Sequence, residues 1–212
     1  MFKIVEFKLG PVQTNAYLLA DSDTCEAVVI DPGWDGRIIL DEAQRNGWKI
    51  GSIWYTHAHF DHFGGAAAIA KALEPRPLVG LHPADHNLWK LGGGGSLFGF
   101  KIEPGPEPGI ELYDGQILNL GTVQFTVLST PGHTPGHCCF YCAREKVLFS
   151  GDLIFQGSVG RTDLPGGDYD SLVISIQARI FVLPDETRIL SGHGPETNVG
   201  YERKNNPFVG QN

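Results

Sequence analysis

Nowhere in the sequence do about 18 apolar residues run together, so no membrane-spanning helix is expected. The opening MFKIVEFKLG is too polar, and its apolar run too short, for the core of a secretory signal. A cytoplasmic protein is therefore expected. Basic residues are also scarce: 16 Lys and Arg stand against 24 Asp and Glu, for a formal net charge of −8. Nucleic acid, which demands clustered Lys and Arg, is not an expected partner, and neither is a membrane. Cysteine is rare as well, with four residues: Cys25, Cys138, Cys139 and Cys142. Three of them crowd together, a layout that does not make the disulfide framework of a large chain. On a strand Cys138 and Cys142 share one side and Cys139 points away. They read as buried structural thiols rather than a metal knot.

What the sequence does have is turns and an ordinary core. Gly contributes 28 residues and Pro 14, without a collagen-like period, while 42% hydrophobic and 19% charged residues describe a globular chain. At 212 residues it can bury a substantial core. Strand patterns cover 2–9, 16–20 and 27–30, followed by a helix whose apolar face combines Ile38, Ile39, Leu40, Ala43 and Trp48. A buried strand at 50–55 runs into Thr56-His57-Ala58-His59-Phe60-Asp61-His62. An Ala-rich helix over 64–73 and a strand at 78–81 precede residues 91–109, whose GGGG and PGPEPG suit either a lid or a plain surface excursion. Strands at 123–128, 138–141, 147–149 and 187–190 surround a helix at 169–182. Strands come in runs with helices after them, which favours two packed sheets with outer helices over one doubly wound sheet.

The chemistry concentrates in His57-x-His59-x-Asp61-His62, four ligand-type side chains directly after an apolar strand. If this segment is extended, His57, His59 and Asp61 share a side, and a turn at Asp61–His62 aims the last ligands elsewhere. His133, Asp152 and His193 follow singly, each at an expected strand end beside glycine, where the backbone can turn sharply. Five of the eight histidines are thereby used. Burying three His and an Asp together for structural reasons alone would be costly. Imidazoles suit zinc and neighbouring metals, and a carboxylate can bridge two of them.

The segment THAHFDH at 56–62, with His133, Asp152 and His193 in that order, resembles the hallmark of the metallo-β-lactamase superfamily. PGHTPGH at 131–137, GDLIFQGSVGRTDLP at 151–165 and GHGPETNVGYERKNNP at 192–207 are similar to its glyoxalase II-related branch, in the short bacterial form. The resemblance implies an α+β fold, a four-layer αβ/βα sandwich, with residues 1–212 as one domain. It implies two divalent metal ions, zinc by default, with iron or manganese able to use the same ligands. His57, His59 and His133 would hold the first ion and Asp61, His62 and His193 the second, with Asp152 bridging. Asp31, in Val-Ile-Asp-Pro-Gly, would support the ligands or serve as a simple turn residue. His137 would support them or cap the next strand. Arg161 would grip a substrate carboxylate, or pair structurally with Asp163 or Asp168.

A small-molecule thioester such as S-D-lactoylglutathione is the substrate implied, attacked by a bridging hydroxide that the two cations generate. Asp61 would orient that hydroxide. The sequence runs only to Asn212 after His193, without the C-terminal helical region that long glyoxalase II enzymes use to hold glutathione. Hydrolysis is thus carried further than glutathione specificity. Competing readings are a mono-iron persulfide dioxygenase-like enzyme, a lactonase or β-lactamase on the same scaffold, and a non-catalytic metal-binding or redox-sensing module using the cysteines.

Overall fold

In the computed structural model, which describes residues 2–210, the strand patterns pair into two six-stranded sheets and a small hairpin. The chain forms two compact units, Met1–Leu112 with Asn119–Val123, and Tyr113–Leu118 with Gln124–Asn212.

The first sheet is built from β1 (Phe2–Leu9), β2 (Thr14–Asp21), β3 (Glu26–Ile30), β4 (Lys49–Trp54), β5 (Leu78–Leu81) and β6 (Ile110–Glu111), side by side in chain order. The strands β1 to β3 pair antiparallel, whereas β3 to β6 are parallel. The edge strand β1 keeps Lys3, Glu6 and Lys8 exposed, and charges along an edge discourage pairing with another chain. Its neighbour β2 is buried along its whole length.

Helix α1 (Gly36–Arg45) buries Gly36, Ile39 and Ala43, one stripe at helical spacing. Ile38, expected on that stripe, is exposed, and Trp48 lies beyond the helix end, its amide donating to Ala43 O at 2.9 Å. Gly47 ends the helix in the left-handed region, at φ 68°. Then come α2 (Phe60–Phe63), α3 (Ala66–Ala72) and α4 (His86–Lys90).

The second sheet runs β14-β13-β10-β9-β8-β7. Its strands are β7 (Ile117–Leu120), β8 (Val123–Ser129), β9 (Cys138–Cys142), β10 (Val147–Gly151), β13 (Arg188–Ser191) and β14 (Thr197–Asn198). The hairpin comprises β11 (Ile154–Phe155) and β12 (Ser158–Val159). Helix α5 (Tyr169–Ser175) continues into a wider turn over Ile176–Ile180, and α6 (Val199–Asn205) is the last helix described. Leu172, Ile176, Ile180, Ile189 and Val199 form much of this unit's core. Cys138, Cys139 and Cys142 are buried thiols, and burial pushes the Cys142 thiol up. An inert structural role fits this better than a reactive thiolate. Among the described residues no helix is long and apolar enough to cross a membrane.

The β7–β8 turn, which groups with the first unit, is held there by Asp21. Its Oδ2 accepts from Thr122 N at 2.7 Å and Thr122 Oγ1 at 2.8 Å, and its Oδ1 from Asp23 N at 2.9 Å. These bonds favour the carboxylate and lower its pKa below the ordinary 3.8. The stabilisation is present above that ordinary value and is lost as pH falls through the lower folded value. Wild type is expected to melt above Asp21→Asn by a constant margin from pH 7 to 5. That margin should narrow below pH 4, and a pH-independent one would remove the charge from the explanation.

Candidate metal centre

In the first unit the parallel register Ile30↔Trp54 makes the chain leave β3 and β4 side by side. Asp31 follows β3 in the left-handed region, at φ 49°. Its Oδ1 accepts from Thr56 N at 2.8 Å, and its Oδ2 accepts from Thr56 Oγ1 at 2.6 Å and from His62 Nδ1 at 2.9 Å. An ionised carboxylate only accepts, so His62 carries its proton on Nδ1 and its lone pair on Nε2. Thr56 gives its one hydroxyl hydrogen to Asp31. Its oxygen, 3.0 Å from His57 Nδ1, must then accept from that ring, which puts the His57 lone pair on Nε2 too.

The His57 ring lies 4.9 Å from that of His59 and 4.1 Å from that of His62, and all three side chains are buried. Ligand atoms of Asp31, His57 and His62 lie within 4.8 Å of one another. Both Asp31 oxygens are already engaged, however, so Asp31 orients the ring instead of joining a ligand set. Burial, with the Asp31 charge nearby, also pushes the Tyr55 phenol up.

The segment differs from a fully extended one in an instructive way. Extended backbone ends at His59 (φ −74°, ψ 146°), and α2 begins at Phe60. Asp61 therefore sits in a helical turn and does not share a strand face with His57 and His59. Its Oδ2 accepts from Thr14 Oγ1 at 2.9 Å and lies 3.5 Å from His62 Nε2. Gly33 makes this approach possible, since a Cβ there would stand 2.2 Å from Asp61 O. The preceding loop is pinned at Ala58, whose N–H donates to the buried Asp85 carboxylate at 3.0 Å.

Residues 91–109 are more ordered than their composition suggests. A 3-10 turn forms at Gly95–Phe98, and Gly93 O accepts from Phe60 N at 3.0 Å. Phe100 stacks on Phe60 at 5.3 Å, and Trp89 Nε1 donates to Pro104 O at 3.0 Å. Leu97 and Phe98 remain exposed. His82 caps the turn at Pro83–Asp85, accepting from Ala84 N, and is not a ligand candidate.

The second unit repeats the device. The strands β10 and β13 are parallel, Gly151 opposite Ser191, so Asp152 and His193 both lie just past carboxyl ends. His133 Nδ1 donates to Arg161 O at 2.7 Å, again leaving the lone pair on Nε2. Asp152 Oδ2 stands 3.7 Å from His133 Nε2 and 3.5 Å from His193 Nε2. These gaps exceed hydrogen bonds. They match the roughly 3.3 Å between neighbouring ligands that each lie about 2.0–2.2 Å from a tetrahedral metal. The residues of both units thus fit a metal: donor-type Nε2 atoms face carboxylate oxygens at ligand–ligand spacing, with Nδ1 positions held from behind.

His137 closes the base of the His133 loop. Its Nδ1 lies 2.9 Å from Thr130 Oγ1, its carbonyl accepts from Thr130 N at 2.9 Å, and its ring is 6.0 Å from that of His133. The Arg161 guanidinium makes two 2.7 Å bonds to Asp163, both residues exposed, and holds the Asp163 carboxyl down to about 2. This is the structural pairing that the sequence offered as the alternative to substrate binding. Sequence reasoning missed the Arg161 carbonyl, along with Thr14, Thr56 and Asp85. Backbone acceptors and partners brought in from other strand ends leave no local signal.

The family model of the metallo-beta-lactamase superfamily matches residues 9–193. Hydroxyacylglutathione hydrolase GloC of Haemophilus influenzae is 34% identical over 206 residues, 93% of each chain. Among solved structures, BLEG-1 B3 metallo-beta-lactamase is 42% identical with TM-score 0.90, covering 99% of both chains. TTHA1623 in a di-iron-bound form is 41% identical with TM-score 0.87, covering 97% of this chain and 100% of that one.

Proposed function

From the premise that this chain belongs to the metallo-β-lactamase superfamily, has its fold and is a metallo-hydrolase, we propose that it hydrolyses a small-molecule thioester of the hydroxyacylglutathione type. His57, His59 and His133 would hold one divalent metal ion and Asp61, His62 and His193 a second, with Asp152 shared. Residues 1–212 would act as one domain. The observation that carries the reading is the repeated arrangement in which a fixed Nδ1–H turns Nε2 to within 3.5–3.7 Å of a carboxylate oxygen. The thioester is supported by the likeness to GloC and by the motifs around His133, Asp152 and His193. Zinc suits the ligands, and the di-iron form of TTHA1623 makes iron an equal candidate.

When bound, two such ions supply a water of lowered pKa and a Lewis acid for the carbonyl oxygen. Asp61, steadied by Thr14, orients the attacking water. Asp31 and the Arg161 carbonyl keep His62 and His133 in the metal-binding tautomer. A thiolate leaves readily, so no strong general acid is needed. Arg161 receives a substrate carboxylate by exchanging it for Asp163. Arg161→Ala is expected to raise KM roughly tenfold with little change in kcat, and an unchanged kcat/KM would withdraw that role.

The deciding experiment is hydrolysis of S-D-lactoylglutathione with metal content measured on the same sample. Turnover with about two metals per chain supports the proposal. Absence of turnover with a single iron points to the persulfide dioxygenase-like alternative, read by oxygen uptake. The likeness to BLEG-1 favours a second reading, β-lactam hydrolysis. A chromogenic cephalosporin in the same assay tests it, and turnover of that substrate alone would displace the thioester.

A further inference from the structure

A buried carboxylate remote from the ligands has no part in the reading so far. Glu202, on α6, is buried, yet its three hydrogen-bond donors among the described residues are all neutral. Oε1 accepts from Thr197 Oγ1 at 2.6 Å, and Oε2 accepts from Gly157 N at 3.0 Å and Asn206 Nδ2 at 2.8 Å. The Asn206 amide also donates to Ser158 O at 3.0 Å. Together these bonds grip the tip and return strand of the β11–β12 hairpin.

That hairpin has two residues per strand and no other sheet partner among the described residues. A two-stranded ribbon does not hold its own geometry in water, so its position depends on what anchors it. It reaches all three ligand candidates of this unit. The Phe155 ring stands 6.1 Å from that of His193, edge to face. Gly160, just past β12, is packed so closely that a Cβ would lie 1.8 Å from Asp152 O and 3.4 Å from His133 Nδ1. The next residue supplies the carbonyl that accepts from His133 Nδ1.

We infer that Glu202 is a positioning residue: by anchoring the β11–β12 hairpin it holds the Arg161 carbonyl in place to fix the tautomer and aim of His133. The inference rests on the proposed metal centre and assigns a task to the last sequence motif, GHGPETNVGYERKNNP. Oε2 is the shared point of the anchor, since it accepts from two donors on different elements. Glutamine could keep both grips, its carbonyl oxygen taking the place of Oε2 and its amide donating to Thr197 Oγ1, whereas Glu202→Ala removes them.

The test compares wild type, Glu202→Ala, Asn206→Ala and the core control Val209→Ala. Zinc affinity is read by competition with a chelator. Exchange protection of the His133 Nδ1–H is read by NMR on metal-free protein. Glu202→Ala and Asn206→Ala are expected to bind zinc about tenfold more weakly, as for partners that orient ligands, and to lose His133 Nδ1–H protection. Val209→Ala is expected to lose thermal stability with both readouts unchanged. Wild-type affinity and protection in a folded Glu202→Ala or Asn206→Ala would overturn the inference, as would the same losses in Val209→Ala. If wild type binds no zinc, the metal-centre reading fails, and the exchange readout still decides whether the anchor sets the His133 tautomer.

Discussion

Replacing His59 with alanine is expected to reduce metal content to no more than one ion per chain and thioester hydrolysis to the uncatalysed rate. His59 is buried at the last extended residue before α2, edge-on to His57. Neither neighbouring imidazole is at liberty to take its place: His57 is tied to Thr56 and His62 to Asp31. Alanine leaves the φ and ψ of the segment undisturbed, so far-UV circular dichroism should be unchanged. The loss then belongs to the missing imidazole and not to unfolding. Metal analysis on the purified variant is the first reading and the assay the second. A variant that keeps both metals and turns over at the wild-type rate would remove His59 from the ligand set.

A single methyl group should do comparable damage at Gly160. A Cβ at this position stands 1.8 Å from the Asp152 carbonyl oxygen, a backbone atom that cannot rotate away. Gly160→Ala must push the β12 exit from Asp152 and take the Arg161 carbonyl with it, 2.7 Å from His133 as it now is. Overpacking costs about 3 kcal/mol at the upper end of its usual range, and a backbone clash belongs at that end. For a chain of this size the melting temperature should fall by roughly 6–12 °C. Metal binding should weaken with it. Gly194→Ala is the useful contrast, because no atom lies within 4 Å of a Cβ there and only its φ of 77° opposes the change. If Gly160→Ala melts and binds metal like wild type, the close approach at Asp152 does not govern the site.

Much of this was legible from residue order. The clustering of His57, His59, Asp61 and His62 after a β-rich run is a local signal, because ligands on one short loop must be neighbours in sequence. The glycines beside His133, Asp152 and His193 were legible for the same reason. Gly132, Gly151 and Gly194 take positive φ, a backbone state that side chains oppose. Periodicity placed the long strands well because alternation or continuous apolarity reports burial directly. It was less reliable at Ile38, where apolar character outlasted the buried stripe, and at Phe60, where a helix of four residues is too short to leave a period.

What residue order could not supply is which atoms hold the imidazoles in place. The partner of His62 is 31 residues away at the end of a parallel neighbour strand. The partner of His133 is a backbone carbonyl 28 residues away, where the side chain Arg161 had drawn attention to itself. Residue order determined that this chain carries a cluster of metal-ligand side chains, and its motifs carried the resemblance to a known superfamily, since ligand identity is a property of side chains. Tertiary structure alone decided each tautomer, the helical placement of Asp61 and the hairpin that bears on His133, because these depend on strand register and close backbone approach, which are properties of packed chains.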